Sequence, residues 1–244
     1  MRLTEPFASP LTRLNNDSTI HLSVFGFLMR LRFLSSSGDV LKSNTLPKSL
    51  KILQNKIETL RMPIYPGGWP KDPTRDVSSV MLNALLEFEI TSMRNWTSEI
   101  NIASGRIDFG HHVGGKLSHA LEVELGNAAR LDSDILKLCL LKKSNPSMSI
   151  SLMVPSDSVK KRFHAEKSAN DVVQRLATLR PVVDGVDDII IIEIDVPTDK
   201  EKGYTKHILN GRSKFPKDKN FFLKNAKKTE VKKFIKKNRS DFKI

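Results

Sequence analysis

Residues 119–127 read His119-Ala120-Leu121-Glu122-Val123-Glu124-Leu125-Gly126-Asn127. Apolar and charged side chains alternate from Leu121 to Leu125. That is the period of a strand, whose side chains point to opposite faces in turn, and Gly126-Asn127 ends it. Glu122 and Glu124 therefore share one face. Ala120, Leu121, Val123 and Leu125 predict that the strand is internal, and an internal strand is a costly place for two unpaired carboxylates. Such a pair calls for a partner or a function.

Upstream stands Arg106-Ile107-Asp108-Phe109, with 13 residues between Asp108 and Glu122. Ile100, Ile102 and Ile107 lie in short runs bounded by Ser104-Gly105, Gly110 and Gly114-Gly115, which reads as two strands or a hairpin. If the Asp108 strand pairs beside the Glu122 strand, three carboxylates converge at one edge. Before this, Leu46, Leu50, Leu53, Ile57 and Leu60 recur at helical spacing up to Pro63 and the turn cluster at 66–70. A second helix is predicted over Val77 to Arg94, with Val80, Met81, Ala84, Leu85 and Phe88 on its apolar face and Glu87 and Glu89 on its polar one. Residues 1–45 stay unassigned.

Downstream, Ala128, Leu131, Ile135, Leu138 and Cys139 mark a helix face up to the stop at 142–146. Met148 to Val154 is a strand, and Val172, Val173, Leu176 and Leu179 give a helix that Pro181 ends. Ile189 to Val196 is a β-branched run of the buried kind. Helices alternating with strands predict an α/β fold, a central mixed β-sheet flanked by helices. The expected organisation is an N-terminal helical or irregular part over 1–76, a core over 77–211 and a basic tail over 212–244. Val231, Phe234 and Ile235 give that tail an amphipathic helix.

Charge and composition narrow the function. The 244 residues carry a net charge of +13. From Arg212 to Ile244 there are 13 Lys and Arg against three acids, a net of +10, so the first 211 residues hold only +3. A nearly balanced body with a basic tail suits phosphate neutralisation on nucleic acid, or a solvated tail. The apolar run from Ile20 to Leu34 is interrupted by His21, Arg30 and Arg32, so it is neither a secretory leader nor a membrane span. Cys139 is the single cysteine, which excludes an intrachain disulfide and a cysteine zinc site and is expected to be buried. A cytoplasmic protein is expected. No repeat is visible.

Carboxylates without an accompanying Cys or His set suit Mg²⁺, or Mn²⁺ in its place, better than zinc. On that reading Asp108 and Glu122 bind the metal, and Glu124 positions or deprotonates the attacking water. The surface alternative is that all three are solvated. Glu87 or Glu89 is a candidate further carboxylate, with a solvated helix face as its plain reading. His111, His112 and His119 are expected to be exposed in a Gly-rich loop.

The run Asp108-Phe109, Leu121 to Asn127, Arg130 to Asp134 and Leu136-Lys137 resembles the catalytic strand and following helix of the BglII and BamHI group of type II restriction endonucleases, within the PD-(D/E)xK nuclease superfamily. The resemblance extends over roughly Ser79 to Pro197. Most of that superfamily has Lys where Glu124 stands, whereas this group carries Glu or Gln. The Gly-rich insert between Asp108 and Glu122 and the basic tail depart from the pattern. The resemblance implies a restriction-endonuclease-like fold and Mg²⁺-dependent double-strand cutting of DNA at a palindromic site, leaving 5′-phosphate and 3′-hydroxyl ends. It further implies Asp108, Glu122 and the Val123 carbonyl as metal ligands, Glu124 as the water-orienting residue, a homodimer, and a cognate DNA methyltransferase in the host.

DNA-reading candidates follow the two strands. Asn127, Ala128, Arg130 and Ser133 sit at a predicted helix start, where Asn pairs with adenine and Arg with guanine in the major groove. Asn127 reads equally as a helix cap. Ser156, Asp157, Lys160, Lys161 and Arg162 follow the next strand, as readers or as a solvated turn. Two other functions compete: a structure-specific or repair nuclease of the same superfamily, and a non-catalytic basic nucleic-acid-binding protein.

Overall fold

Three aliphatic runs, at Ala120, at Ile150 and at Ile189, form the parallel centre of a six-stranded sheet. The computed structural model describes residues 28–62, 77–126, 128–162, 166–196 and 228–243. In chain order the elements are β1 (Arg30–Leu34), α1 (Lys48–Ile57), α2 (Ser79–Thr91), β2 (Trp96–Ile102), β3 (Gly105–Val113), β4 (Lys116–Val123) and α3 (Leu131–Ser144). They continue with β5 (Ser149–Pro155), α4 (Asp157–Lys160), α5 (Ala169–Leu179), β6 (Ile189–Asp195) and α6 (Lys228–Lys237).

The sheet order is β1-β6-β5-β4-β3-β2. β4, β5 and β6 are parallel, while β1 against β6 and the β2-β3-β4 meander are antiparallel. The expected α/β fold with a central mixed sheet flanked by helices is what forms. Parallel neighbours need crossovers, and α3 and α5 supply them. Both pack on one face over Ala120, Ile150, Leu152, Val154, Ile189 and Ile191. The other face, with Phe33, Leu121, Met153 and Ile192, is covered by α1, α2 and α6.

Local chemistry explains the element ends. The Ser78 hydroxyl accepts the Met81 N–H (3.2 Å) and starts α2. Gly114 and Gly115 turn β3 into β4 with φ of 56° and 78°, backbone that a hairpin of two residues demands. Gly110 is not punctuation as the sequence suggested. It lies inside β3, where a Cβ would meet Ile100 Cδ1 at 2.2 Å and Leu117 Cδ1 at 2.5 Å, so the position is glycine for close packing.

Expectations on α2 and on the histidines need correction. α2 is buried on more than one side, through Met81, Leu82, Leu85, Leu86 and Ile90, because α1, α6 and the sheet all pack around it. Val80, assigned to its apolar face, is exposed. Glu89, assigned to the solvated face, is wholly buried and meets Arg239 (2.6 Å), Lys56 (2.9 Å) and Lys243 (3.7 Å). His119 is not a loop residue but a buried one on β4, held between Ser49 Oγ and Ser151 Oγ at 2.8 Å each. His111 and His112 are half-buried on β3. Among the described residues no helix is long and apolar enough to cross a membrane.

Candidate active site

The parallel strands β4, β5 and β6 end together at Val123, Pro155 and Asp195, the end of such a sheet where α/β proteins place ligands. β3 runs the opposite way, so its first half lies beside the end of β4. Phe109 pairs with Leu121, which puts Asp108 next to Glu122 in register. Here the two strands exchange side-chain bonds. Asp108 Oδ2 accepts the Val123 N–H (2.9 Å) and Glu122 Oε2 accepts the Asp108 N–H (3.3 Å). Each carboxylate satisfies a main-chain donor of the other strand at the point where the β3–β4 ladder stops.

The two acids differ in surroundings. Asp108 is exposed, whereas Glu122 is buried. Glu122 Oε1 makes no well-aligned hydrogen bond and faces the Lys137 ammonium of α3 at 2.5 Å. Lys137 Nζ also meets Asp134 Oδ1 (2.8 Å) and donates to the Arg106 carbonyl (3.0 Å). Burial pushes the Glu122 carboxyl up to about 8 against the pull of Lys137, and the nearby Asp108 and Asp134 charges add to the rise. Burial works against the charge of Lys137 too, but its bonds to Asp134 and Glu122 keep its pKa above the ordinary lysine range.

Glu124 follows β4 directly and is buried. Its N–H donates to the Met153 carbonyl (2.9 Å), so the parallel ladder continues through it, and its Oε1 accepts the Gly126 N–H (3.0 Å). The expected convergence of three carboxylates is met only in part: Asp108 and Glu122 face each other across two strands, whereas Glu124 is turned to the loop that follows. Among the described residues no group of three or more His, Cys, Asp or Glu side chains is gathered as a metal cage. Two carboxylates on adjacent strands are the number that commonly holds Mg²⁺, an ion that keeps several of its waters. The Lys137 ammonium against Glu122 marks the place as one that takes positive charge.

Beside Asp108 opens a cleft of about 350 Å³, lined also by Glu87, Glu99, Val123, Arg130 and Val231. Arg130, a predicted DNA contact, is exposed there. Ser133 is exposed in the first turn of α3. Asn127 lies outside the described residues, as does the side chain of Ala128, which begins the 3-10 turn before α3. Ser156 is buried: its hydroxyl accepts the Val159 N–H as the cap of α4 and donates to Asp195 (2.7 Å). Asp157 accepts from Asn170 (2.6 Å), Lys160 pairs with Asp171 (2.7 Å), Lys161 is exposed, and the Arg162 carbonyl accepts the Val77 N–H.

The sequence reading gave Lys137 no role of its own. Its signal was slight: an Asp134–Lys137 pair three residues apart, bordering the buried stripe Leu131, Ile135 and Leu138. Glu193 and Asp195, buried at the same end of the sheet, were missed as well. They pair with Arg32 (2.9 Å) and Arg30 (3.1 Å) of the edge strand β1, a segment whose pattern is ambiguous without its neighbour.

No protein-family model matches the chain, and no curated protein matches it. Among solved structures it is similar to the restriction endonuclease BglII complexed with a DNA 16-mer, at a TM-score of 0.46 and 18% identity, over 70% of this chain and 77% of that one. The likeness is loose, and the chemistry of this chain rests on its own residues.

Proposed function

We propose that the chain is a Mg²⁺-dependent endonuclease that cuts both strands of DNA at a specific, palindromic sequence, acting as a two-fold homodimer. The observation that carries this reading is the reciprocal Asp108–Glu122 arrangement at the end of β4, with a buried carboxylate held against an ammonium and an exposed carboxylate open to a cleft. Asp108, Glu122 and the Val123 carbonyl hold the metal, and Mn²⁺ can replace Mg²⁺. When bound, the ion lowers the pKa of water and offsets the charge that develops on the phosphate.

The chain's own groups do the rest. Glu124, one residue beyond the ligands, orients the attacking water and takes its proton. The water oxygen bonds to phosphorus while the bond to the 3′ oxygen breaks, and the released 3′ oxygen takes a proton from solvent, leaving a 3′-hydroxyl and a 5′-phosphate. Arg130, across the cleft from α2, neutralises a neighbouring phosphate or reads a base edge. A dimer places one such site on each strand of a two-fold-symmetric target.

The deciding experiment incubates wild type, Asp108→Asn and Glu122→Gln with supercoiled and linear genomic DNA, in Mg²⁺ or in EDTA. Discrete fragments from the wild type alone, and only with Mg²⁺, are expected. Cutting at branched or mismatched DNA without discrete fragments would instead make it a structure-specific nuclease. No cutting by wild type would leave a non-catalytic DNA-binding protein, and equal cutting by the variants would overturn the assignment of Asp108 and Glu122.

A further inference from the structure

The basic C-terminal helix is joined to the cleft rather than appended to the molecule. Val231 and Ile235 of α6 are buried in the core shared with α2, and Val231 lines the cleft that holds Asp108. Arg239 and Lys243, just past the helix, close on the buried Glu89. Lys233 and Lys236 are exposed and have no carboxylate partner among the described residues. Lys232 reaches Glu87.

These three lysines line a groove of about 220 Å³ between α2 and α6, which shares Ala84 and Glu87 with the Asp108 cleft. The groove with the ammonium groups thus adjoins the cleft with the carboxylates along α2. We propose that α6 is a phosphate rail: Lys233 and Lys236, with Lys232, hold the backbone of the DNA strand whose scissile phosphate lies at Asp108. The inference rests on the nuclease reading of the cleft and assigns to that site its strand-holding element.

The charge distribution argues for this occupant. Among the described residues Arg130 is the one cation in a cleft lined also by Asp108, Glu87 and Glu99, and the first 211 residues carry only +3, so most of the attraction for a polyanion has to come from elsewhere. Residues three and four apart on a helix sit about 5–6 Å from each other, so Lys232, Lys233 and Lys236 form one compact charged strip. Because α6 is fixed by core packing and by Glu89, the strip has a set position relative to Asp108, which a mobile tail lacks. Lysines act there as point charges, so the contact carries no base preference.

The test uses the full chain and a DNA duplex in EDTA, with affinity measured across a range of NaCl. For the double variant Lys233→Gln, Lys236→Gln the slope of log K against log salt should shrink by about 1.8, from about 0.9 per lost phosphate contact, with roughly tenfold weaker binding and unchanged melting. The control Lys42→Gln, Lys48→Gln removes the same charge from exposed residues that line neither the groove nor the cleft and should leave the slope alone. A wild-type slope in the first variant, an equal change in the control, or a loss of binding to anionic phosphatidylserine vesicles without a loss on DNA would overturn the rail. If the slope shrinks as expected but wild type cuts no DNA in Mg²⁺, the rail stands and the nuclease reading falls.

Discussion

Glu89, Glu122 and His119 are buried ionisable residues that meet the cost of burial in three ways. Glu89 stays charged: burial raises its pKa, but Arg239 and Lys56 outweigh that and hold it below the ordinary carboxylate range. Breaking a buried pair by removing one partner costs about 3–5 kcal/mol. The cations here are partly exposed and can rehydrate, so Glu89→Gln should cost about 2–3 kcal/mol, read as a lower urea midpoint. An unchanged midpoint would mean that the ion contacts add nothing to packing.

His119 stays neutral. Burial, helped by the nearby His111, pushes its pKa down to about 3. The unfolded chain then binds a proton that the folded chain refuses, so stability is complete above about pH 6.5 and is lost as pH falls toward 3, by at most about 1.4 kcal/mol per pH unit. The buried Glu122 carboxyl, raised to about 8, works in the opposite direction over this range, so the effect is read as a difference: the urea midpoint of His119→Gln should rise relative to that of wild type as pH falls from 7.5 to 5. Glu122 is the residue that spends stability on a site: its carboxyl sits where burial resists ionisation. Glu122→Gln should melt no lower than wild type while Mg²⁺-dependent cutting disappears. A clearly lower melting temperature would mean that the Lys137 contact outweighs the burial.

At the scale of elements, the strands and helices were legible wherever one face is buried and the period is plain. The run at Ile189 became a strand, as did the alternation from Leu121, although that strand ends at Val123, two residues before the expected Leu125; the helical spacings of Leu50, Leu53 and Ile57 and of Leu131, Ile135 and Leu138 both became helices. Reading failed where the reason for a residue lies on another element. Gly110 looks like a strand break but is a packing position under Ile100 and Leu117. Gly110→Ala should cost about 1–3 kcal/mol by overpacking, and Ile100→Val, which removes the nearer methyl, should recover part of it. Additive losses in the double variant would show that the two positions do not compete for space. β1 was unreadable because an edge strand of five residues takes its register from β6 rather than from a long pattern of its own.

At the scale of the molecule, α6 decides whether the basic end is a separable tail. Its Val231 and Ile235, with Phe242 just beyond, are buried in the larger core. A fully buried side chain of this kind stabilises by about 1.5–3 kcal/mol, and deletion also strips Glu89 of Arg239 and Lys243. Removing residues 228–244 should therefore cost on the order of 5 kcal/mol, a large share of a typical domain's stability. The expected result is a truncated chain with a much lower melting temperature or poor solubility. A truncation that melts like the full chain would restore the view of an independent tail.

The sequence by itself determined the alternation of strands and helices, the strand that carries Glu122, the proximity in the chain of Asp108 to that strand, and the concentration of charge at the C-terminal end. These are properties of neighbouring residues, and periodicity or counting reveals them. Tertiary structure decided which carboxylates meet: Asp108 and Glu122 across two strands, with Glu124 turned to the Gly126 amide. It also brought Lys137 from α3 to Glu122, seated His119 between two serines, buried Glu89 among three cations and laid α6 along the cleft. Each of these contacts joins side chains from different elements. No pattern within one element encodes such a contact, because it depends on which face of the sheet each helix covers.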